Sequence, residues 1–188
     1  IQMKEHAAAA GTKLINDHIN ELNLNKRPFE ALGDSGTFYT SDSIILATGA
    51  QAKWLGLESE HAFKGFGVSA CATCDGFFYR GAEIVVVGGG NTAVEEALFL
   101  TKFASKVTLI HRRDSLRAEK ILQQRLDNND KIKVCWFHEL EEVLGTESPR
   151  GVEAVKVKNV KTGLKSIINC KGVFIAIGHA PASELVKD

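Results

Sequence analysis

The chain has 188 residues, room for one full domain and part of another. Its composition, 44% hydrophobic and 24% charged, is that of an ordinary globular protein, and 23 basic against 23 acidic residues leave no bulk charge to attract nucleic acid or an anionic membrane. No apolar stretch approaches the roughly 20 residues of a spanning helix, the first residues lack the basic segment and apolar core of a signal peptide, and Ile in place of Met at position 1 is read as a chain that begins inside a longer protein.

Residues 4–10 favour a helix closed by Gly11. Short strands are expected at 14–19, around Phe29, at 37–40 and at 43–47, with turn chemistry at Gly33, Asp34, Ser35 and Gly36. The last of these, Ile44-Ile45-Leu46-Ala47 running into Thr48-Gly49-Ala50, reads as a buried strand stopped by a glycine. Residues 51–70 carry little periodicity and read as a connector. A strand at 83–87, a glycine turn at 88–90, a helix from about 91 to 103 and a strand at 106–110 make a βαβ unit. Its helix places Ala93, Val94, Ala97, Leu98 and Thr101 at helical spacing, with Glu95 and Glu96 in the early turns, where acidic groups suit the dipole.

A second helix at about 116–126 presents Ala118, Ile121, Leu122 and Arg125 on one face. Beyond Lys131 the pattern is β: Val134, 141–144, 152–160 and 167–168, separated by turns at 148–151 and 161–163. The run from Gly172 to Gly178 repeats the design of 44–49, an apolar strand ending at glycine, and implies two similarly built domains.

Cys71-Ala72-Thr73-Cys74 is the first chemical signal. The pair admits three readings: a redox disulfide, a zinc half-site and two bystander thiols. Zinc needs two further ligands, and Cys135 and Cys170 stand alone in apolar surroundings as expected buried strand thiols, so no metal site is assigned. C-x-x-C at a helix start lowers thiolate pKa and favours reversible disulfide formation, which makes redox chemistry the leading reading. Asp75 lies next to the pair and can exchange protons with a thiolate, or it forms only a turn with Gly76. Four cysteines spaced in this way argue for a reducing, cytoplasmic setting.

The second signal is Gly88-Gly89-Gly90-Asn91-Thr92-Ala93, the dinucleotide fingerprint at Gly88, Gly90 and Ala93. The first glycine permits the turn, the second lets a pyrophosphate approach, and Ala93 allows helix and strand to pack closely; the helix start near Asn91 and Thr92 offers free N–H groups. The next strand ends in His111-Arg112-Arg113, with Arg117 following. Guanidinium groups here suit the 2′-phosphate of NADPH, where NADH sites place an acid; the other reading is a solvated basic loop. His111 is read as part of the phosphate site rather than as a base.

Together these segments, with Leu46 to Ala50, Val94 to Ala97, Asp114, Ala118 to Lys120 and Phe174 to Pro181, resemble the low-molecular-weight thioredoxin reductases over the whole chain. The resemblance implies an α/β, Rossmann-like three-layer NAD(P)-binding domain of the flavoprotein type with two dinucleotide-binding domains. It implies a cytoplasmic homodimer in which NADPH reduces FAD, FAD reduces the C-x-x-C disulfide and the dithiol reduces thioredoxin. Cys74 then faces the flavin, Cys71 attacks thioredoxin and Asp75 is the acid. Arg112, Arg113 and Arg117 clamp the 2′-phosphate, Ile177 and Gly178 join the NADPH site, and Thr48, Gly49 and Ala50 form part of the FAD site.

On this pattern 1–50 is the end of a FAD-domain segment, 51–179 the NADPH domain and 180–188 the return to the first domain. The family's N-terminal FAD fingerprint and C-terminal Gly-Asp segment have no counterpart here. The isolated chain is therefore expected to bind NADPH but not FAD, and not to turn over. The alternative is the flavoprotein reductase component of a peroxiredoxin or alkyl hydroperoxide system, which would usually place Pro and His between the cysteines, where Ala72 and Thr73 stand.

Overall fold

In a computed structural model that describes residues 2–187, the chain divides into two compact units, Ile1–Ala50 with Pro181–Asp188, and Gln51–Ala180. The first unit opens with α1 (Gln2–Ala9), which buries no residue. An antiparallel meander follows, β1 (Ile19–Asn23), β2 (Phe29–Gly33) and β3 (Phe38–Ser41). The strand expected at 14–19 starts only at Ile19, because pairing with β2 begins at Ile19 opposite Gly33; Leu14 and Ile15 have no strand partner among the described residues and stay exposed.

The expected buried strand at 43–47 does not form. Residues 43–47 are irregular, and Ile45 is 93% exposed. An apolar run becomes a strand only where a neighbour takes up its backbone hydrogen bonds, and among the described residues none does so here. The chain then forms β4 (Ala50–Ala52), which pairs with β13 (His179–Pro181) as a two-stranded ladder.

The supposed connector holds two elements, α2 (Glu58–Ala62) and β5 (Val68–Ser69). Glu60 is the reason the first was not legible. It is buried, and its carboxylate accepts the amides of Leu55 (3.0 Å) and Gly56 (2.8 Å), so a polar side chain organises this stretch without apolar periodicity. Next come α3 (Ala72–Asp75), continued by a 3₁₀ turn over Gly76–Tyr79, then β6 (Glu83–Gly88), α4 (Asn91–Leu100) and β7 (Lys106–His111). Helix α4 stops at Leu100 because the chain tightens into i to i+3 bonds, with Lys102 N donating to Phe99 O (3.1 Å) and Phe103 N to Leu100 O (3.0 Å).

Helix α5 (Lys120–Asp127) starts about one turn later than its sequence predicts. The stretch before it is tied down: Arg117 N donates to Gly89 O (2.7 Å) and Glu119 N to Asn91 Oδ1 (2.8 Å). Its buried face is Leu122 and Leu126, joined by Ala118 ahead of the helix, whereas Ile121 and Arg125 point to solvent. The remaining strands are β8 (Ile132–Trp136), β9 (His138–Glu147), β10 (Arg150–Asn159), β11 (Lys165–Asn169) and β12 (Gly172–Ala176). Cys135 lies on β8 and is half-buried, while Cys170 is buried just past β11.

A five-stranded parallel sheet, ordered β5-β12-β6-β7-β8, organises the second unit. Alternation along β6 splits its core: Ile84 and Val86 pack with Ala93, Val94, Ala97 and Leu100 of α4, and Val85 and Val87 with Val143, Val155 and Val157 of the antiparallel β9-β10-β11 sheet. The result is three layers, with helices on one face of the parallel sheet and a second sheet on the other. Each fully buried Val of β6 contributes about 1.5–3 kcal/mol. No helix among the described residues is long and apolar enough to cross a membrane.

Candidate active site

Both chemical signals lie in the second unit. Cys71 and Cys74 are joined as a disulfide, with Cα atoms 5.3 Å apart. Cys71 caps α3, its sulfur accepting the Cys74 amide at 3.2 Å; it is half-buried, while Cys74 is exposed. Ser69, which drew no attention in the sequence, ties the pair to the neighbouring acid: its hydroxyl donates to Asp75 Oδ2 (2.6 Å) and accepts the Cys71 amide (3.1 Å). Ser69 ends β5, so the short parallel pairing of β5 with β12 positions both. The other thiols are set apart by chemistry: burial pushes Cys170 up to about 12 and raises Cys135 above its ordinary value, which leaves both predominantly as thiols at neutral pH.

At the carboxyl ends of β6, β7 and β12 lies a cavity of about 660 Å³, the usual place for a ligand in an open α/β sheet. Gly88, Gly89, Gly90 and Thr92 line one side. A Cβ at Gly88 would strike the Ala176 carbonyl and lie 2.6 Å from the Ala93 methyl, so this glycine and the small Ala93 are required by close packing. Nothing lies within 4 Å of a Cβ built on Gly90, which leaves open space for a phosphate beside the backbone.

His111, buried at the end of β7, bolts this floor together. Its Nδ1 lies 2.8 Å from Gly88 O and its Nε2 2.9 Å from Ser115 O; both carbonyls accept, and the tautomer decides which of them receives the N–H of a neutral ring. The imidazole also occupies the space a Cβ on Gly89 would need. His111 lines the cavity with both ring nitrogens close to main-chain carbonyls, and so packs against the glycine turn that floors it.

Arg112 and Arg117 line the cavity with exposed guanidinium groups; Arg113 is also exposed but is not among the lining residues. Among the described residues none of the three arginines is in an ion pair. The acids of the facing wall are matched by lysines. Glu139 lies 3.9 Å from Lys158, and Glu141 is held below the usual carboxylate range by a 2.6 Å contact to Lys165 and by Lys156. The positive charge left unmatched at this cavity is therefore on Arg112 and Arg117.

Ile177 and Gly178 line the same cavity, whereas Asn91 and Ala93 do not: Asn91 is bonded to Glu119 and Ala93 is wholly buried. Thr48, Gly49 and Ala50 belong elsewhere, at the edge of the first unit. There the Thr48 hydroxyl donates to Ala182 O, and Gly49 O accepts the Ala182 amide at 2.9 Å. Sequence reasoning missed the cavity's second wall, Leu55 and Leu57 together with His138, Glu139, Leu140, Glu141 and Lys158. Nothing in the local pattern marks these residues, because folding brings them to the site from far along the chain.

A family model described as "Pyridine nucleotide-disulphide oxidoreductase" matches residues 4–188. The chain belongs to this family. Within it, the chain is 57% identical over 184 residues to thioredoxin reductase of Rickettsia conorii, covering 98% of this chain and 59% of that protein. It is 52% identical over 191 residues to thioredoxin reductase of Escherichia coli O157:H7, covering 99% and 58%. Among solved structures, Lactococcus lactis thioredoxin reductase superposes with a TM-score of 0.84 at 37% identity, over all of this chain and 61% of that one. The chain thus spans about three fifths of the length of these relatives.

Proposed function

We propose that this chain carries the nicotinamide-binding and disulfide-bearing part of an NADPH-dependent thioredoxin reductase. The observation that carries the reading is one fold unit that holds both a Cys71–Cys74 disulfide beside Asp75 and a glycine-floored cavity with free arginines. The backbone at Gly88 to Gly90 and the start of α4 would seat the pyrophosphate, and Arg112 and Arg117, with Arg113 nearby, would take the 2′-phosphate. When bound, NADPH supplies a hydride, which is two electrons and one proton. Opening the S–S bond to two neutral thiols consumes two electrons and two protons, and Asp75, held by Ser69, is placed to donate a proton to a leaving sulfur.

In the whole protein, FAD would relay the electrons between nicotinamide and disulfide. Thr48, Gly49 and Ala50 would form part of its site, in a FAD-domain segment spanning 1–50, followed by an NADPH domain over 51–179 and the return over 180–188. Cys74 is the sulfur we assign to the flavin side and Cys71 the one that attacks thioredoxin. The homodimer follows from the resemblance alone; the cytoplasmic setting also accords with two unpaired cysteines.

Two measurements test this. The first is nucleotide binding by the chain, followed by fluorescence quenching: NADPH should bind at least tenfold more tightly than NADH, and equal affinities would defeat the arginine assignment. The second is reduction of a thioredoxin by the full-length protein with NADPH. Replacing either Cys71 or Cys74 by Ser should abolish it, and an unchanged rate would overturn the dithiol reading.

A further inference from the structure

One face of α4 runs along the disulfide-bearing segment. A Cβ on Gly76 would lie 2.9 Å from Leu100 Cδ2 and 3.4 Å from Phe103 Cδ2, and the Phe103 ring sits edge-on to Phe77 at 6.3 Å. One turn back from Leu100 on that face is Glu96. The residues of α4 around it, Ala93, Ala97 and Leu100, pack in one cluster with Ala72, the residue after Cys71 and the first of α3. Glu96 Oε2 is shut off from water and has no hydrogen-bond partner among the described residues. Helix propensity does not require an acid at such a place, and a methylene chain ending in an unsatisfied oxygen costs stability there.

The charged groups on the surrounding elements are engaged elsewhere or exposed. On α3, Asp75 bonds Ser69. Glu83 of β6 pairs with Lys106 of β7 at 2.9 Å, and His111 is bound to two carbonyls. Glu95 on α4 itself and Lys120 and Arg125 on α5 are exposed, and β12 carries no charged residue. Burial pushes Glu96 up to about 7, with the Ala72 amide pulling weakly the other way, so it changes charge at neutral pH.

We propose that Glu96 is a positioning residue for the redox pair, a half-buried side chain with one carboxyl oxygen shut off from water, on the helix face that packs against α3, whose negative charge opposes a thiolate at Cys71–Cys74 and whose protonation lifts that opposition. The proposal rests on the redox reading of the pair. By linkage the effect is reciprocal: a thiolate nearby makes Glu96 harder to ionise.

The test uses the chain reduced with dithiothreitol and freed of reductant, and follows alkylation of Cys71 and Cys74 by iodoacetamide in wild type and Glu96→Gln. At pH 8, where wild-type Glu96 is charged, the variant should react faster, by about twofold for a thiol pKa lowered by about half a unit from the ordinary 8.5. At pH 6, where Glu96 is mostly protonated, the two rates should converge. A ratio that stays the same at both pH values would mean a merely structural role and would overturn the proposal.

A second measurement needs no variant: the Glu96 carboxyl is titrated by ¹³C NMR in the disulfide and dithiol forms of the wild-type chain. Its midpoint should be higher in the dithiol form, and equal midpoints would overturn the proposal. If the disulfide cannot be reduced and re-formed at all, the redox reading falls and this inference with it. If it cycles normally while Glu96→Gln follows wild type at every pH, only the inference falls.

Discussion

The two units use apolar residues in opposite ways. In Gln51–Ala180, Ile84, Val86, Leu109 and Phe174 are shut inside a three-layer stack, because every strand that carries them has neighbours on both edges and packed layers on both faces. In the unit formed by Ile1–Ala50 with Pro181–Asp188, Phe38, Ile45 and Leu46 are as apolar yet lie exposed, and α1 buries nothing. The same residue types therefore make a core in one unit and a bare surface in the other. What differs is whether a partner surface lies within the described chain.

Truncating one methyl-rich side chain in each unit tests that difference directly. Leu109→Ala should lower unfolding free energy by about 2–5 kcal/mol in urea titrations followed by circular dichroism, whereas Ile45→Ala should change it by less than about 0.5 kcal/mol. Similar losses from both would show that the first unit has a core after all.

Within the second unit, the arginines can be separated from the scaffold. Arg112→Ala or Arg117→Ala should each weaken NADPH binding by about 1.5–3 kcal/mol, tenfold or more in Kd, and leave NADH binding nearly unchanged in calorimetry. Parallel losses for both nucleotides would make the arginines part of the general frame.

Gly89→Ala displaces the His111 ring and should raise Kd for both nucleotides about tenfold. Gly151→Ala, where a Cβ meets nothing within 4 Å, should leave both unchanged.

The smallest effect lies in the first unit. Hydrogen bonds from Ser35 and Tyr39 hold Asp17 down to about 2, so its folded-state pKa is below the unfolded value. The stabilisation it gives the turn at 34–37 should be complete above about pH 4 and fade as pH falls toward 2, read as a smaller protection factor for the Ser35 amide, its exchange rate being compared with that of the unfolded chain at the same pH. Asp17→Asn should remove that pH dependence and leave the second unit untouched.

Much of the second unit could be read from its residues. The strand-turn-helix from Glu83 to Leu100 follows from local periods and glycine placement, and the pairing of Cys71 with Cys74 from their spacing. Helix α2 was not legible because a buried carboxylate, Glu60, organises it through backbone amides. The strand expected at 43–47 failed for the converse reason: its residues suit a strand, but strand formation needs a partner that no local pattern reveals.

A cysteine pair, a glycine turn and a basic strand end are each set by residue types a few positions apart, and so were legible before any fold was known. Only the tertiary structure decided what surrounds them. It set the His111 ring between the carbonyls of Gly88 and Ser115, brought Ser69 between Asp75 and Cys71, and packed the face of α4 around Glu96 against α3. Those relations join residues that pack across layers, and packing across layers depends on which surfaces are left to be covered rather than on any local period.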